Sequence, residues 1–235
     1  MSEYKLFNGN CLDIIKSFPD NCIDLIATDP PYHMENILGG GSVNRAGKIK
    51  RLKELEKNNL IYGYDMELYC KEFIRVMKDI NIYFWCNKKQ LLDYLKLFIE
   101  RYKCTFNILF WGKTNPMPTY SNKYMTDSEY LLHFRKGRAK CSPQTYDDAR
   151  TYYISSVNLK DKLKYKHPTV KPLDFTRRII RNSSRENQVI LDPFMGSGTS
   201  IVAALLEGRN AIGIEINKEY FNIAQKRIEN EIKDL

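Results

Sequence analysis

Apolar positions along the chain follow two spacings, one typical of strands and one typical of helices. Residues 80–85 and 106–111 are short, nearly continuous apolar runs, as expected of strands buried in a sheet. In 66–76 and 90–102 the apolar residues recur every three or four positions, as on the buried face of a helix. Further predicted elements are a short strand and turn at 6–13, a helix at 11–18, strands at 23–27, 130–134 and 210–216, a strand from 189, and a helix at 201–206. The alternation of strand and helix predicts an α/β fold with a doubly wound, mostly parallel sheet.

The predicted strand at 23–27 leads into the tetrapeptide Asp29-Pro30-Pro31-Tyr32. In open α/β sheets, ligands bind at the carboxyl ends of strands. Because the two prolines lack N–H groups, the tetrapeptide presents mainly hydrogen-bond acceptors beside an aromatic ring. Such a group suits the exocyclic amine of adenine or cytosine, with the tyrosine stacking on the base. The alternative is a simple turn at the end of a strand, since Asp-Pro commonly opens turns.

A second motif, at 189–216, combines a strand, a glycine turn, a helix and another strand. Gly196 and Gly198 allow a cofactor to approach the backbone closely at this crossing. Glu215 lies 19 residues after Gly196 (215 − 196 = 19), near the ~20-residue offset of a ribose-binding acid. The stretch lacks the lysine of a P-loop and the third glycine or alanine of the dinucleotide fingerprint. It therefore favours a ligand with a ribose and no phosphates, such as S-adenosylmethionine.

Composition narrows the class of partner. Lysine and arginine exceed aspartate and glutamate by 37 − 28 = 9 in 235 residues, which favours a polyanionic partner, nucleic acid first. No apolar run approaches the ~20 residues of a membrane-spanning helix, and the first residues lack a secretory signal. A cytoplasmic protein without a membrane partner is expected. The six cysteines form no C-x-x-C pair and do not cluster with the three histidines, so no metal site is indicated.

The segment 33–59 differs in character from the rest of the chain. It combines a run of three glycines, Gly39-Gly40-Gly41, with six lysines and arginines against two glutamates in its second half. One interpretation is a solvated surface helix with a flexible lead-in. The other is a mobile basic flap beside the tetrapeptide that becomes ordered on a phosphate backbone.

Together these motifs resemble those of the DNA amino-methyltransferases. Asp29-Pro30-Pro31-Tyr32 matches the catalytic motif of that family, and Asp192-Pro193-Phe194-x-Gly196-x-Gly198-Thr199 matches its cofactor motif. The catalytic motif comes first, which resembles the circularly permuted, β-type order. His167-Pro168-Thr169-Val170-Lys171-Pro172 resembles the element before the cofactor motif, with valine where glutamine is usual. Segments 9–13 and 111–116 also resemble parts of the family.

The resemblance implies roles for individual residues. Asp29, Pro30, Pro31 and Tyr32 would be catalytic. The residues implied to hold the cofactor, S-adenosylmethionine, together with the ribose-binding acid found above, are Cys11, Asp13, Asp29, His167, Thr169, Lys171, Asp192, Pro193, Phe194, Gly196, Ser197, Gly198, Thr199, Glu215, Ile216 and Asn217. A structural histidine before proline is an equally good interpretation of His167, and a surface lysine is the alternative for Lys171.

For the whole chain, the resemblance implies one Rossmann-like methyltransferase domain over 1–235. Its sheet would have seven strands, one of them reversed, with a small target-recognition insertion at about 135–166. Double-stranded DNA is the implied substrate, and a homodimer and a cognate restriction endonuclease are hypotheses about partners.

Several functions compete at this stage. Aspartate at position 29 favours transfer to the N6 of adenine, because the enzymes that act on the N4 of cytosine more often carry serine there. Methylation of RNA or of protein glutamine is a further alternative. From a different class, the chain could be a non-catalytic DNA-binding subunit that keeps the fold.

Overall fold

The computed structural model describes residues 2–31, 64–116, 124–157 and 170–233. Within these ranges eight strands form one sheet. They are β1 (Tyr4–Asn8), β2 (Leu25–Thr28), β3 (Asn81–Cys86), β4 (Thr105–Lys113), β5 (Ser128–Arg135), β6 (Tyr152–Ser155), β7 (Val189–Asp192) and β8 (Asn210–Glu215). Their spatial order is β1-β8-β7-β2-β3-β5-β4-β6. β5 pairs antiparallel with both β3 and β4, and every other pairing among these strands is parallel.

Helices cover both faces of this sheet. They are α1 (Cys11–Lys16), α2 (Met66–Val76), α3 (Lys88–Leu95) with a π-helical continuation (Lys96–Arg101), α4 (Leu173–Ser183), α5 (Thr199–Leu206) and α6 (Lys218–Glu231). Successive residues of β3 face opposite cores. Phe84 belongs to a cluster with Phe73 of α2, whereas Tyr83 belongs to a cluster with Phe175 of α4 and Val202 of α5. The predicted doubly wound, mostly parallel α/β architecture is confirmed.

The centre of the sheet contains a topological switch point. β7 and β2 are parallel neighbours, with Leu191 beside Ile26. From β7 the sheet continues through β8 to β1, and from β2 it continues to β3 in the opposite direction. In open α/β sheets, ligands bind in the crevice at the carboxyl ends of the strands at such a point. The two loops that leave β2 and β7 are the ones that carry the two sequence motifs.

Three details of the sequence prediction are corrected. The sheet has eight strands in the described residues, and the additional one, β6, pairs with β4 inside the segment predicted for target recognition. The helix predicted at 90–102 begins at Lys88 and changes to a π-helix at Lys96. Helix α4 was not assigned from the sequence. The segment 33–59 lies outside the described residues.

Searched over the ranges described above, the chain contains no helix that combines the length and the apolar character needed to cross a membrane.

Candidate active site

The loop after β2 is held by the start of helix α3. Asn87 caps this helix, because its side chain accepts hydrogen bonds from the backbone of Lys89 and Gln90, at 2.9 and 3.0 Å. The Gln90 side-chain amide then donates to the carbonyl of Pro31 at 3.0 Å. The loop conformation is therefore supported by a residue far away in sequence. Tyr32, the last member of the tetrapeptide, lies outside the described residues.

The loop after β7 is a tight glycine turn. Gly196 and Gly198 have φ angles of +51° and +79°, in the left-handed region that favours glycine. The amide of Gly198 donates to the Met195 carbonyl at 2.7 Å, and α5 begins directly afterwards. From behind, the buried guanidinium of Arg227 donates to the Thr199 hydroxyl at 2.8 Å. The turn and the first residue of α5 are thus fixed by α6.

Phe194 connects the loop after β7 to α2. Its ring stacks on Tyr69 with the ring centroids 6.0 Å apart and meets Tyr64 edge-on at 5.5 Å. Such aromatic pairs add packing energy beyond the area they bury. The aromatic ring of the sequence motif therefore serves as an anchor in the core.

Glu215 ends β8 directly beside this turn. Its two carboxylate oxygens accept hydrogen bonds from the backbone of Gly196 at 2.9 Å and of Asn217 at 2.8 Å. Burial raises the pKa of the Glu215 carboxyl, and the bonds from these backbone amides oppose that rise. Ile216, the next residue, is 55% exposed. An acid at the strand end and an apolar surface beside it fit a ribose and a purine ring.

The start of α1 approaches the same acid. The amide of Gly9 donates to the Glu215 carbonyl at 3.1 Å, which places the N-terminal end of α1 beside β8. Cys11 is buried there, and burial raises the pKa of its thiol, with Glu215 adding to the rise. Asp13 lies exposed in the first turn of α1. Both predicted residues thus belong to the same end of the sheet as the glycine turn.

A buried hydrogen bond joins the two loops. The hydroxyl of Thr28, the residue before Asp29, donates to Asp192 Oδ1 at 2.7 Å, and the Phe194 amide donates to the same oxygen at 3.1 Å. Asp192 is only 3% exposed. Burial raises the pKa of its carboxyl to about 7, and the Thr28 bond opposes this rise. The side chain of Asp192 therefore acts as a structural connector between the two motifs.

Asp29 and Lys171 form an ion pair, with 2.9 Å between Nζ and Oδ2. Lys171 also contacts Glu129 Oε2 at 2.7 Å. The site thus brings together most of the predicted residues that the structure describes. His167 and Thr169 are not among the described residues. Sequence analysis did not identify Thr28, Gln90 or Glu129 as site residues. A hydroxyl at the end of an otherwise apolar strand was a usable signal for Thr28, and the others had no local signal.

Gly213 of β8 offers a test of how the glycine turn is packed. A Cβ at this position would overlap the sulfur of Met195 and lie 3.1 Å from side-chain carbons of Ile201 and Leu6. We expect Gly213→Ala to destabilise the fold by about 1–3 kcal/mol, as overpacking does. Urea unfolding measures the change. Gly112→Ala in β4 is the matched control, because its Cβ would lie in ordinary contact, 3.5 Å from Ile154. Equal effects of the two variants would contradict the packing argument.

Comparison with known proteins agrees with this geometry. Residues 23–226 match the model of the N6/N4 DNA methylase family. The type II methyltransferase M2.MboI of Moraxella bovis is 31% identical over 242 residues, covering 95% of this chain and 87% of its own. M2.DpnII of Streptococcus pneumoniae is 34% identical over 221 residues, covering 86% and 81%. The crystal structure of an M1.HpyAVI–SAM complex matches with a TM-score of 0.67 at 26% identity, covering 96% of this chain and 98% of the other.

The fold and the site define a methyltransferase of the Rossmann-like class. The chain belongs to the DNA methylase family. The predicted enzyme class, a DNA methyltransferase that depends on S-adenosylmethionine, is confirmed by this membership.

Proposed function

We propose that this chain is a β-type, circularly permuted DNA methyltransferase that transfers a methyl group from S-adenosylmethionine to the N6 of a flipped-out adenine. The observation that carries the proposal is the adjacency of the two loops. Asp29 follows β2, the glycine turn follows the neighbouring β7, and the 2.7 Å bond from Thr28 to Asp192 joins them. We call the loop after β2, which contains Asp29, the acceptor loop, and the glycine turn after β7 the cofactor loop. The acceptor loop precedes the cofactor loop in the chain, and this order supports the permuted arrangement.

The residues at the end of β7 and β8 fit the cofactor. Glu215 is a carboxylate that already accepts backbone hydrogen bonds on each oxygen, and an ionised carboxylate has about four acceptor sites in total. It has the capacity to accept ribose hydroxyls as well. The exposed side chain of Ile216 provides an apolar surface for the adenine ring. When bound, S-adenosylmethionine supplies an electrophilic methyl group on a sulfonium.

The loop after β2 binds the base. A base amine is unreachable inside the duplex, so the target nucleotide must leave the stack. The Asp29 carboxylate and the Pro30 carbonyl accept the amine hydrogens, and Tyr32 stacks on the base. These acceptors favour a tetrahedral nitrogen whose lone pair is available, and they stabilise the positive charge that develops there. Because the acceptors are positioned before the reaction, little reorganisation is required during it.

Aspartate at position 29 is the reason for preferring adenine. The family model that the chain matches includes both N6 and N4 methylases. Serine is more common at this position in the cytosine enzymes, so Asp29 supports N6 of adenine as the target atom.

Contacts with the DNA are assigned to two segments of the single domain 1–235. We assign target recognition to 135–166 and backbone contact to the basic segment 33–59. In the described part of the first segment, Arg181 of α4 binds Asp148 at 2.7 Å, and Asn182 donates to the Asp148 carbonyl at 2.8 Å. These bonds attach the segment to α4 at Asp148.

Charge removal tests the flap. The double variant Arg51→Ala, Lys57→Ala should weaken binding to duplex DNA and make the affinity less dependent on salt, because fewer counterions are released. Titrations at several salt concentrations measure both quantities. Unchanged affinity and slope would remove 33–59 from the DNA site.

Two partners are proposed, a second copy of the chain and a restriction endonuclease. A homodimer would double the DNA-contacting surface, and light scattering at micromolar protein concentration tests it, since a monomer mass would contradict it. A cognate restriction endonuclease is the second expected partner.

The proposal is tested by expressing the chain in a host free of DNA methylation and analysing its nucleosides by mass spectrometry. We expect N6-methyladenine with the wild type and none with Asp29→Ala. N4-methylcytosine would retain the mechanism and overturn the choice of base. Absence of both marks would contradict the proposed enzyme.

A further inference from the structure

Four charged side chains of alternating sign form a continuous row behind the acceptor loop. Asp29 Oδ2 lies 2.9 Å from Lys171 Nζ, and the same nitrogen lies 2.7 Å from Glu129 Oε2. The other oxygen of Glu129, Oε1, accepts a hydrogen bond from Lys113 Nζ at 2.6 Å. Lys171 is only 7% exposed. The row therefore links the proposed catalytic carboxylate to two strands on the far side of the sheet.

The reversed strand explains how these residues meet. Because β5 runs antiparallel to β4, its first residues lie at the end of the sheet where the parallel strands have their carboxyl ends. Glu129 is opposite Trp111 near the end of β4, and Lys113 is the last residue of that strand. Lys171 reaches the row from the turn before α4, passing over the ring of Trp85 with its nitrogen 4.9 Å from the centroid. The aromatic face adds a favourable contact for the ammonium group.

The charge of Glu129 makes the row stable as a unit. Burial alone would raise the pKa of this carboxyl, but Lys171 and Lys113 together outweigh burial and hold it at about 2. Glu129 is therefore ionised at neutral pH and attracts Lys171 permanently. A buried ion needs such partners, since an unpaired charge in this environment is strongly unfavourable.

We infer that Lys171 is a positioning residue that orients the Asp29 carboxylate towards the base amine, and that Glu129 and Lys113 hold it in place. This role differs from the contact with the cofactor that the resemblance implied for Lys171. The inference rests on the proposed function, because it takes Asp29 as the acceptor of the amine. The ammonium group contacts Asp29 Oδ2, and this contact restricts the rotation of the carboxylate.

The two roles for Lys171 predict changes in different quantities: positioning affects kcat, and cofactor contact affects the affinity for S-adenosylmethionine. For Lys171→Met, positioning predicts that kcat falls about 10²-fold, as misplacement of a reacting group does, while the dissociation constant of S-adenosylmethionine changes less than about twofold. Glu129→Gln should lower kcat in the same way, and Lys171→Arg should recover part of it. A tenfold weaker cofactor affinity with unchanged kcat at saturating cofactor would overturn the inference. Unchanged kcat and affinity would overturn it as well.

The pH profile provides a readout that a purely structural role would not change. Without the ammonium group, the ionised form of Asp29 loses a favourable neighbour, so the acidic limb of kcat/KM should move to higher pH in Lys171→Met. Other ionisable groups with an electrostatic effect on this cluster are Asp192 of β7, Cys86 of β3 and Tyr94 of α3. Burial raises the pKa of Cys86 to about 12 and that of Tyr94 well above its usual value, so both stay neutral. Burial raises the pKa of Asp192 to about 7 in the wild type. The pH profile of Lys171→Met is therefore compared with that of the wild type.

Controls separate this inference from misfolding and from failure of the proposed function. The double variant Lys171→Met, Glu129→Gln removes one charge of each sign. It should fold at least as well as Lys171→Met by thermal unfolding and still show the low kcat. Lys78→Met removes an ion pair of 2.8 Å with Asp24 outside the site and should leave kcat unchanged. All assays use methylation-free genomic DNA. If the wild type itself leaves no methylated base, the proposed function fails, whereas an active wild type with insensitive Lys171 variants refutes only the positioning role.

Discussion

Asp29→Ala should lower the turnover number at least about 10³-fold while leaving the binding of S-adenosylmethionine close to that of the wild type. The carboxylate is the charged acceptor at the carboxyl end of β2, and the residues that fit the cofactor lie after β7 and β8. Single-turnover methylation of DNA measures the loss, and calorimetry measures the cofactor affinity. Substantial residual turnover would contradict the assignment of Asp29 as the acceptor of the amine hydrogens.

Two further variants show which property of Asp29 matters. Asp29→Asn keeps an acceptor oxygen of similar shape and removes the charge, so its activity should lie between those of the wild type and Asp29→Ala. Asp20→Ala is the matched control, because Asp20 is an exposed carboxylate paired with Arg75 away from the site. Removal of Asp29 leaves Lys171 in contact with Glu129, so the fold should persist, and thermal unfolding checks this.

Local sequence signals were sufficient for most of the elements. Helix α2 occupies 66–76 as predicted, because Asp65 caps it by accepting from the Leu68 amide at 3.0 Å and its apolar residues share one face. The strands at the centre of the sheet are short apolar runs that can be buried on both faces. Such patterns depend only on neighbouring residues, and a single sequence contains them completely.

Helix α4 was missed although its apolar residues share one face, whereas β6 depends on a partner distant in the chain. β6 is a strand because it pairs with β4, and its own residues, Tyr-Tyr-Ile-Ser, are too few to form a clear pattern. The π-helical turn at 96–101 continues a helix whose apolar spacing is ordinary. For β6, tertiary pairing decides the local structure, and sequence periodicity does not encode it.

The candidate site divides in the same way. Its two loops were identified because proline, glycine and acidic residues follow apolar strands at specific offsets. The residues that hold the loops were not, because Gln90 and Glu129 act through contacts across the sheet. The contact between Lys171 and Glu129 requires β5 to run in reverse, and nothing near position 171 indicates that. Motifs therefore locate the reacting groups, and the fold supplies the residues that orient them.

Asp192→Asn should change how stability depends on pH. Burial raises the folded-state pKa of Asp192 to about 7 from the usual 3.8, so between these values the folded protein holds a proton that the unfolded chain has lost. Stability from this group is therefore full below about pH 4, falls as pH rises, and is lost above about pH 7. One proton corresponds to ~1.4 kcal/mol per pH unit, or about 4 kcal/mol over the interval.

The variant lacks this titration, so its stability relative to wild type should improve steadily from pH 5 to pH 7 and then stay level. Urea unfolding of both proteins at pH 5, 6, 7 and 8 measures the difference, which cancels the titration of the other acids. Thr28→Val is the informative companion. It removes the 2.7 Å bond that favours the ionised carboxylate, so the fall in stability should extend to higher pH than in the wild type. A difference between wild type and Asp192→Asn that is constant over this range would show that Asp192 is ionised throughout. The bond between the two loops would then join Thr28 to a charged acceptor at every pH in this range.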